Sequence, residues 1–182
     1  SDMLAFPTGT FVSVEDSHQL LDFDDDGTGS TRYVVHDWDS GETGVWDIAL
    51  TYAIDGDRYT ELTADVAPDE AVDEPPTYRW DYDGERLAFV ELLGGDEMDC
   101  QRRVYRNNTY RPIEDPRMVV VAASDIEAGD PIPDRKIQLA FVAAAELGPR
   151  LYLDPELFLG SVPLAPIAEG EPITPDLVTP AE

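Results

Sequence analysis

From Thr8 to about Arg111 the chain keeps a period of two. Trp46, Ile48, Leu50, Tyr52 and Ile54 alternate with Asp47, Ala49, Thr51 and Ala53, and Tyr78, Trp80 and Tyr82 alternate with Thr77, Arg79 and Asp81. Successive side chains of an extended chain point to opposite faces, so this spacing puts the large residues on one side of a half-buried strand. Leu21/Phe23, Tyr33/Val35 and Leu87/Phe89 are shorter versions. Between the runs fall Asp26-Gly27, Asp55-Gly56 and Asp83-Gly84, each able to supply the positive φ of a tight hairpin turn. Strands joined this way pair with their sequence neighbours. The expected architecture is an all-β, up-and-down antiparallel meander of about eight strands, closed into a small barrel.

Arg111-Pro112-Ile113-Glu114-Asp115-Pro116 breaks the rhythm, because two prolines remove backbone donors and impose extended geometry. A barrel domain over 1–111, a linker over 112–117 and a second domain over 118–182 follow. The second domain carries one phrase twice: Ala122-Ala123-Ser124-Asp125-Ile126-Glu127-Ala128-Gly129-Asp130-Pro131-Ile132, and Pro163-Leu164-Ala165-Pro166-Ile167-Ala168-Glu169-Gly170-Glu171-Pro172-Ile173. In each, the Ile packs inward, the Gly takes a turn and Pro-Ile starts the next extended piece, so the copies read as matching arms of one small β unit. Met118 to Ala123 is a compact buried strand. Residues 137–142 alternate as a strand and 143–147 form a helical turn, with one Ala-rich helix over 135–147 as the alternative. Asp154-Pro155-Glu156-Leu157 opens a short helix that stops at Gly160.

Charge narrows the partners. The chain has 12 basic and 39 acidic residues, net −27, and residues 1–100 hold 26 of the acids against 4 bases. Such a field repels nucleic acid and anionic membrane and favours a soluble monomer. Salt adaptation and a calcium-rich extracellular setting are both compatible with it. No apolar run approaches the roughly 20 residues of a spanning helix, and no signal peptide is visible. Cys100 is the single cysteine, so no internal disulfide framework exists. Its acidic neighbours make it a poor nucleophile.

Among chemical motifs, Asp22, Asp24 and Asp26 with Gly27 match the first half of a calcium loop, but Tyr33 stands where the bidentate Glu belongs. An acidic hairpin turn is the simpler reading. His18 and His36 read as surface or strand-edge histidines. Arg102, Arg103, Arg106, Arg111 and Arg117 form a basic strip that either binds an anionic group or neutralises adjacent acids. Residues 67–76, acidic and proline-rich, read as a mobile loop, and Asn107-Asn108-Thr109 is a formal glycosylation sequon. Trp46, Tyr52, Tyr78, Trp80 and Tyr82 could line a cavity or a sugar-stacking face, or simply fill a barrel. No nucleophile elbow, phosphate-cradling loop or cofactor motif is present, so a non-enzymatic protein without a cofactor is expected. A hydrolase would instead need a cleft with two carboxylates roughly 5–10 Å apart.

Two resemblances add to this. Gly9-Thr10-Phe11, the hairpin from Leu21 to Thr28, and the stretches 52–57 and 77–87 resemble lipocalin-like domains of secreted and surface bacterial proteins, which implies a barrel with an internal apolar cavity. The stretches 119–132, 154–162 and 167–178 resemble the SAF domain, the β-clip module of type III antifreeze proteins, sialic acid synthases, flagellar P-ring chaperones and pilus-assembly proteins. Ser161 departs from the basic residue common in the pilus branch, which weakens an anionic-ligand role. Together they imply an extracytoplasmic binding protein for a small apolar molecule or glycan at the cell envelope. The alternative is an accessory component of pilus or surface-appendage assembly that contacts an envelope protein.

Overall fold

The computed structural model describes residues 5–15, 17–64, 73–106 and 108–181. Residues 67–72 of the expected mobile loop (67–76) and Asn107 of the sequon lie outside them. Two compact units are present, residues 1–32 with 46–113 and residues 33–45 with 114–182.

The first unit is built on an eight-stranded closed barrel in simple up-and-down order: β1 (Gly9–Ser13), β2 (Gln19–Phe23), β3 (Thr28–Asp37), β4 (Glu42–Asp55), β5 (Arg58–Ala64), β6 (Thr77–Tyr82), β7 (Leu87–Gly94) and β8 (Thr109–Pro112). Closure comes from β1 and β8, antiparallel with Phe11 opposite Pro112 and Ser13 opposite Tyr110. Each Asp-Gly pair lies at a hairpin turn, with φ of +85°, +61° and +100° at Gly27, Gly56 and Gly84. The period-two reading therefore holds for the architecture.

It holds less well for β4. Leu50 and Tyr52 are buried, but Trp46 is 56% exposed and Ile54 37%. The alternation sets a face for fourteen residues, and only its middle has anything packed over it. One element was not expected at all: helix α1 (Asp99–Tyr105), between β7 and β8. It turns Gln101, Val104 and Tyr105 inward at helical spacing, and all three are buried. The Gln101 side chain accepts a hydrogen bond from Met98 N, 2.8 Å, which satisfies one orphan donor of the first turn. Seven residues give too short a period to stand out from the β rhythm around them.

In the second unit the two phrases hold each other by reciprocal backbone bonds. Ile126 N donates to Ile167 O (2.8 Å) and Ile167 N to Ile126 O (2.9 Å). Gly129 N donates to Pro163 O, while its counterpart Gly170 N donates to Ala122 O. Ile132 N donates to Ser161 O, and Ile173 N to Val120 O. In each pair, moving the donor 41 residues forward and the acceptor 41 residues back turns one bond into the other, so the copies are related by an approximate twofold. Outside the phrases the correspondence continues. Strand β9 (Pro116–Ala122) pairs β10 (Ile137–Ala143) with Ala122 opposite Ile137, and β11 (Val162–Pro163) pairs β12 (Val178–Thr179) with Pro163 opposite Val178. A single 3-10 turn precedes each returning strand, Asp134–Lys136 before β10 and Pro175–Leu177 before β12. Ile126, Ile167, Ile132 and Ile173 are each 3% exposed or less and form the shared interior.

Residues 137–143 are a strand and 144–146 a 3-10 turn, so the Ala-rich helix is excluded. The helix expected after Asp154 is a single 3-10 turn, Pro155–Phe158, with the Asp154 carboxylate accepting from Glu156 N. The expected linker 112–117 is half strand: Pro112 ends β8, Pro116 begins β9, and Asp115 turns the chain between them at φ +43°.

Candidate functional site

The barrel aromatics were the first candidate, and the structure uses most of them for packing. Tyr78 is fully buried, Trp80 6% and Tyr52 8% exposed. Phe6 stacks on Tyr59 at 5.7 Å and meets Phe23, Tyr52 and Trp80, while Tyr59 also meets Tyr52, Phe89 and Tyr105. Such ring-on-ring contacts add about 0.5–1.5 kcal/mol each beyond area burial. The polar tips are engaged as well. Tyr52 OH donates to Asp24 O, Trp80 Nε1 to Gly56 O and Tyr82 OH to Gly84 O, so each ties down a different Asp-Gly turn. Trp46 stands apart from this cluster on an exposed stretch of β4. Of these five, Tyr52, Tyr78 and Trp80 are buried and Trp46 is exposed.

Deeper in the unit is a buried polar network. Glu61 on β5 is 4% exposed and accepts from Tyr105 OH and from Gln101 Nε2, while Tyr59 OH lies 2.9 Å from Tyr105 OH. Burial pushes the Glu61 carboxyl above its ordinary range, partly offset by its two donors. Burial also raises both phenols, with the Glu61 charge adding to it. Beside it, Glu97 accepts from Tyr78 OH at 2.8 Å, from Arg102 Nε at 3.1 Å and from Arg106 Nε at 2.8 Å. Burial and this bond push the Tyr78 phenol strongly upward. Two arginines of the basic strip thus neutralise a carboxylate, and a third, Arg117, pairs with Asp115 at 3.0 Å. These groups pin α1 into the barrel. The signal in sequence would have been Gln101 and Tyr105, four apart and facing a strand with an inward Glu.

The aspartates expected as calcium ligands form a hairpin turn. Asp26 accepts from Thr28 N and Oγ1, Asp24 from Thr28 Oγ1, and Asp22 from Thr10 Oγ1 on β1. The Asp26 carboxyl is held below its ordinary range by the Thr28 hydroxyl first. Among the described residues no three His, Cys, Asp or Glu side chains are placed to hold a metal ion. His36, read as a surface or strand-edge histidine, sits near the end of β3 with a side chain only 4% exposed.

An open concavity lies in the second unit. A groove of about 500 Å³ has Val119 and Val120 of β9 as its floor. One wall is residues 146–152, the other residues 172–176. The walls are held by Val120 itself, whose N donates to Tyr152 O and whose carbonyl accepts from Ile173 N. β10 ends at Ala143, a 3-10 turn follows over Ala144–Glu146, and Gly148-Pro149 opens the segment that forms this wall. Leu147 packs against the buried Val119, Val121 and Ala140, while Leu151 is 44% exposed. Glu146, Arg150 and Asp176 bring charge to the rim. Sequence reasoning missed this site because one of its walls, residues 146–152, carries no motif.

Residues 117–179 match the SAF domain family. Both phrases, the strands they connect and the groove fall within the match. Neither a curated protein nor a solved structure matches the chain. The likeness is confined to the C-terminal part, and the lipocalin-like expectation for the N-terminal part rests on the eight-stranded barrel alone. Among the described residues no helix is long and apolar enough to cross a membrane.

Proposed function

We propose that the chain is a non-enzymatic accessory protein of an extracytoplasmic assembly, such as a pilus or another surface appendage, and that its SAF region docks a segment of a partner protein in the groove. One observation carries this reading. The groove is open, lined mostly by apolar residues with Glu146, Arg150 and Asp176 at its rim, and within the range of about 300–1,000 Å³ typical of binding sites, whereas most of the described barrel aromatics pack on one another. SAF domains occur in pilus-assembly and binding proteins, which agrees with it. The barrel, on this view, is a carrier for the clip.

A second reading, the small apolar molecule or glycan, keeps one observation in its favour: the exposed Trp46 indole, a suitable face for a sugar ring. Peptide and glycan arrays probed with the full chain separate the two. Docking predicts bound peptides whose affinity falls about tenfold in Leu151→Asp and stays unchanged in Trp46→Ala. Glycan binding abolished by Trp46→Ala, with no peptide bound, would overturn the docking reading.

A further inference from the structure

The tip of the β3–β4 hairpin is built around one imidazole. His36 is the only basic residue between 33 and 45, a stretch that also carries Asp37, Asp39 and Glu42. Its ring is buried, edge-on to Trp38 at 4.7 Å, with Nδ1 3.0 Å from Thr43 Oγ1. Nε2 has no hydrogen-bond partner among the described residues. It faces the Glu156 carboxylate, with Oε1 at 3.7 Å, too long for a hydrogen bond but within ion-pair range. A buried donor without a partner is costly, and the facing carboxylate is the group placed to accept from this nitrogen when it carries a proton.

Glu156 is placed to answer. It lies in the Pro155–Phe158 turn, its backbone N held by Asp154 Oδ1 at 3.0 Å. The opposing surface has room for it. At Gly41, where φ is +73°, a Cβ would come within 2.9 Å of Glu156 Oε1. Gly41 N donates to Asp37 O at 2.8 Å, and the Asp37 carboxylate accepts from Asp39 N and Ser40 N, so the tip is preformed. Those backbone donors, Ser40 first, hold the Asp37 carboxyl below its ordinary range. The charged groups here are thus Asp37, Asp39 and Glu42 on the hairpin and Asp154 and Glu156 on the turn. All are acids. His36 is the one group among them that can become positive.

We propose that His36 and Glu156 form an acid-strengthened latch that holds the hairpin tip, residues 37–42, against the Pro155–Phe158 turn. When the imidazole is protonated, both ring nitrogens are donors: Nδ1–H finds the Thr43 hydroxyl and Nε2–H the Glu156 carboxylate. When it is neutral, the attraction is lost and a hairpin tip with three carboxylates faces a turn with two. The latch is therefore strongest when the ring carries its charge.

The test is amide hydrogen exchange of residues 38–43 in the full chain at about pH 5.5 and about pH 8, as protection factors corrected for intrinsic rate. In the unaltered protein, protection of the tip is about threefold higher at the lower pH, and this difference disappears in both His36→Gln and Glu156→Gln. Glu156 is half exposed, so its substitution leaves a folded protein even where the buried His36 change does not. No pH difference in the unaltered tip overturns the latch. So does a difference that survives in Glu156→Gln, or one shared equally by barrel amides such as those of β7.

Discussion

The two copies of the phrase have the same backbone bonds and different surroundings. Copy for copy, Ile126 matches Ile167, Gly129 matches Gly170, and the 3-10 turn at 134–136 matches that at 175–177. Yet β9 and β10 pair over seven residues while β11 and β12 pair over two. The extra length of β10 feeds the connection over 144–160, and that connection supplies a wall of the groove. The repeat builds a scaffold with the floor and one wall of the groove; what is not repeated adds the other wall. A symmetric scaffold leaves two equivalent surfaces, and an asymmetric connection dresses one of them.

The sharpest way to break this comparison is to cut the shared interior. Ile126→Ala and Ile167→Ala each remove a buried side chain and should cost about 3 kcal/mol by urea denaturation, within about 1 kcal/mol of each other if the copies are equivalent. Because the two residues bridge each other, the double variant should cost less than the sum of the singles. Clearly unequal single costs would show that one copy dominates.

The barrel provides a contrast whose stability depends on pH. Glu61→Ala leaves the Tyr105 and Gln101 donors unpaired and should cost about 2 kcal/mol. Glu61 has a folded pKa raised above the ordinary 4.5, so the protonated form is the one the fold favours. The stability it contributes is present below the ordinary pKa and lost as pH rises through the folded value. Glu61→Gln, neutral at every pH, should flatten the fall in stability as pH is raised from about 4.5, read as unfolding midpoints across a pH series. An unchanged pH slope in Glu61→Gln would place the titration elsewhere.

The smallest effect returns to the copies. Gly129 and Gly170 sit at φ +89° and +79° with open space where a Cβ would stand, so Ala at either position meets backbone strain alone. Each substitution should cost about 1 kcal/mol, equally in both copies, by thermal or urea unfolding.

The period-two rhythm with its Asp-Gly turns was legible because hairpin pairing is local: the residues that specify each turn sit inside it. The paired phrase was legible for a related reason, since recurrence at one spacing points to one structural role. Helix α1 was not, because its reason to form is tertiary: Gln101 and Tyr105 meet Glu61, forty residues earlier. The aromatic strands suggested a ligand site, but periodicity gives a side chain's face and not its neighbours. Phe6, outside any strand, is what helps fill the space between Tyr52, Tyr59 and Trp80.

By itself, then, the sequence determined an antiparallel barrel followed by a twofold clip, with most of the acid in the first part. Only the tertiary structure decided which rings are core, that Glu97 neutralises Arg102 and Arg106, and where a groove remains open. The reason is physical. Turn chemistry and alternation act over a few residues and are written in order along the chain. Burial, charge pairing and empty space depend on segments that meet only after folding.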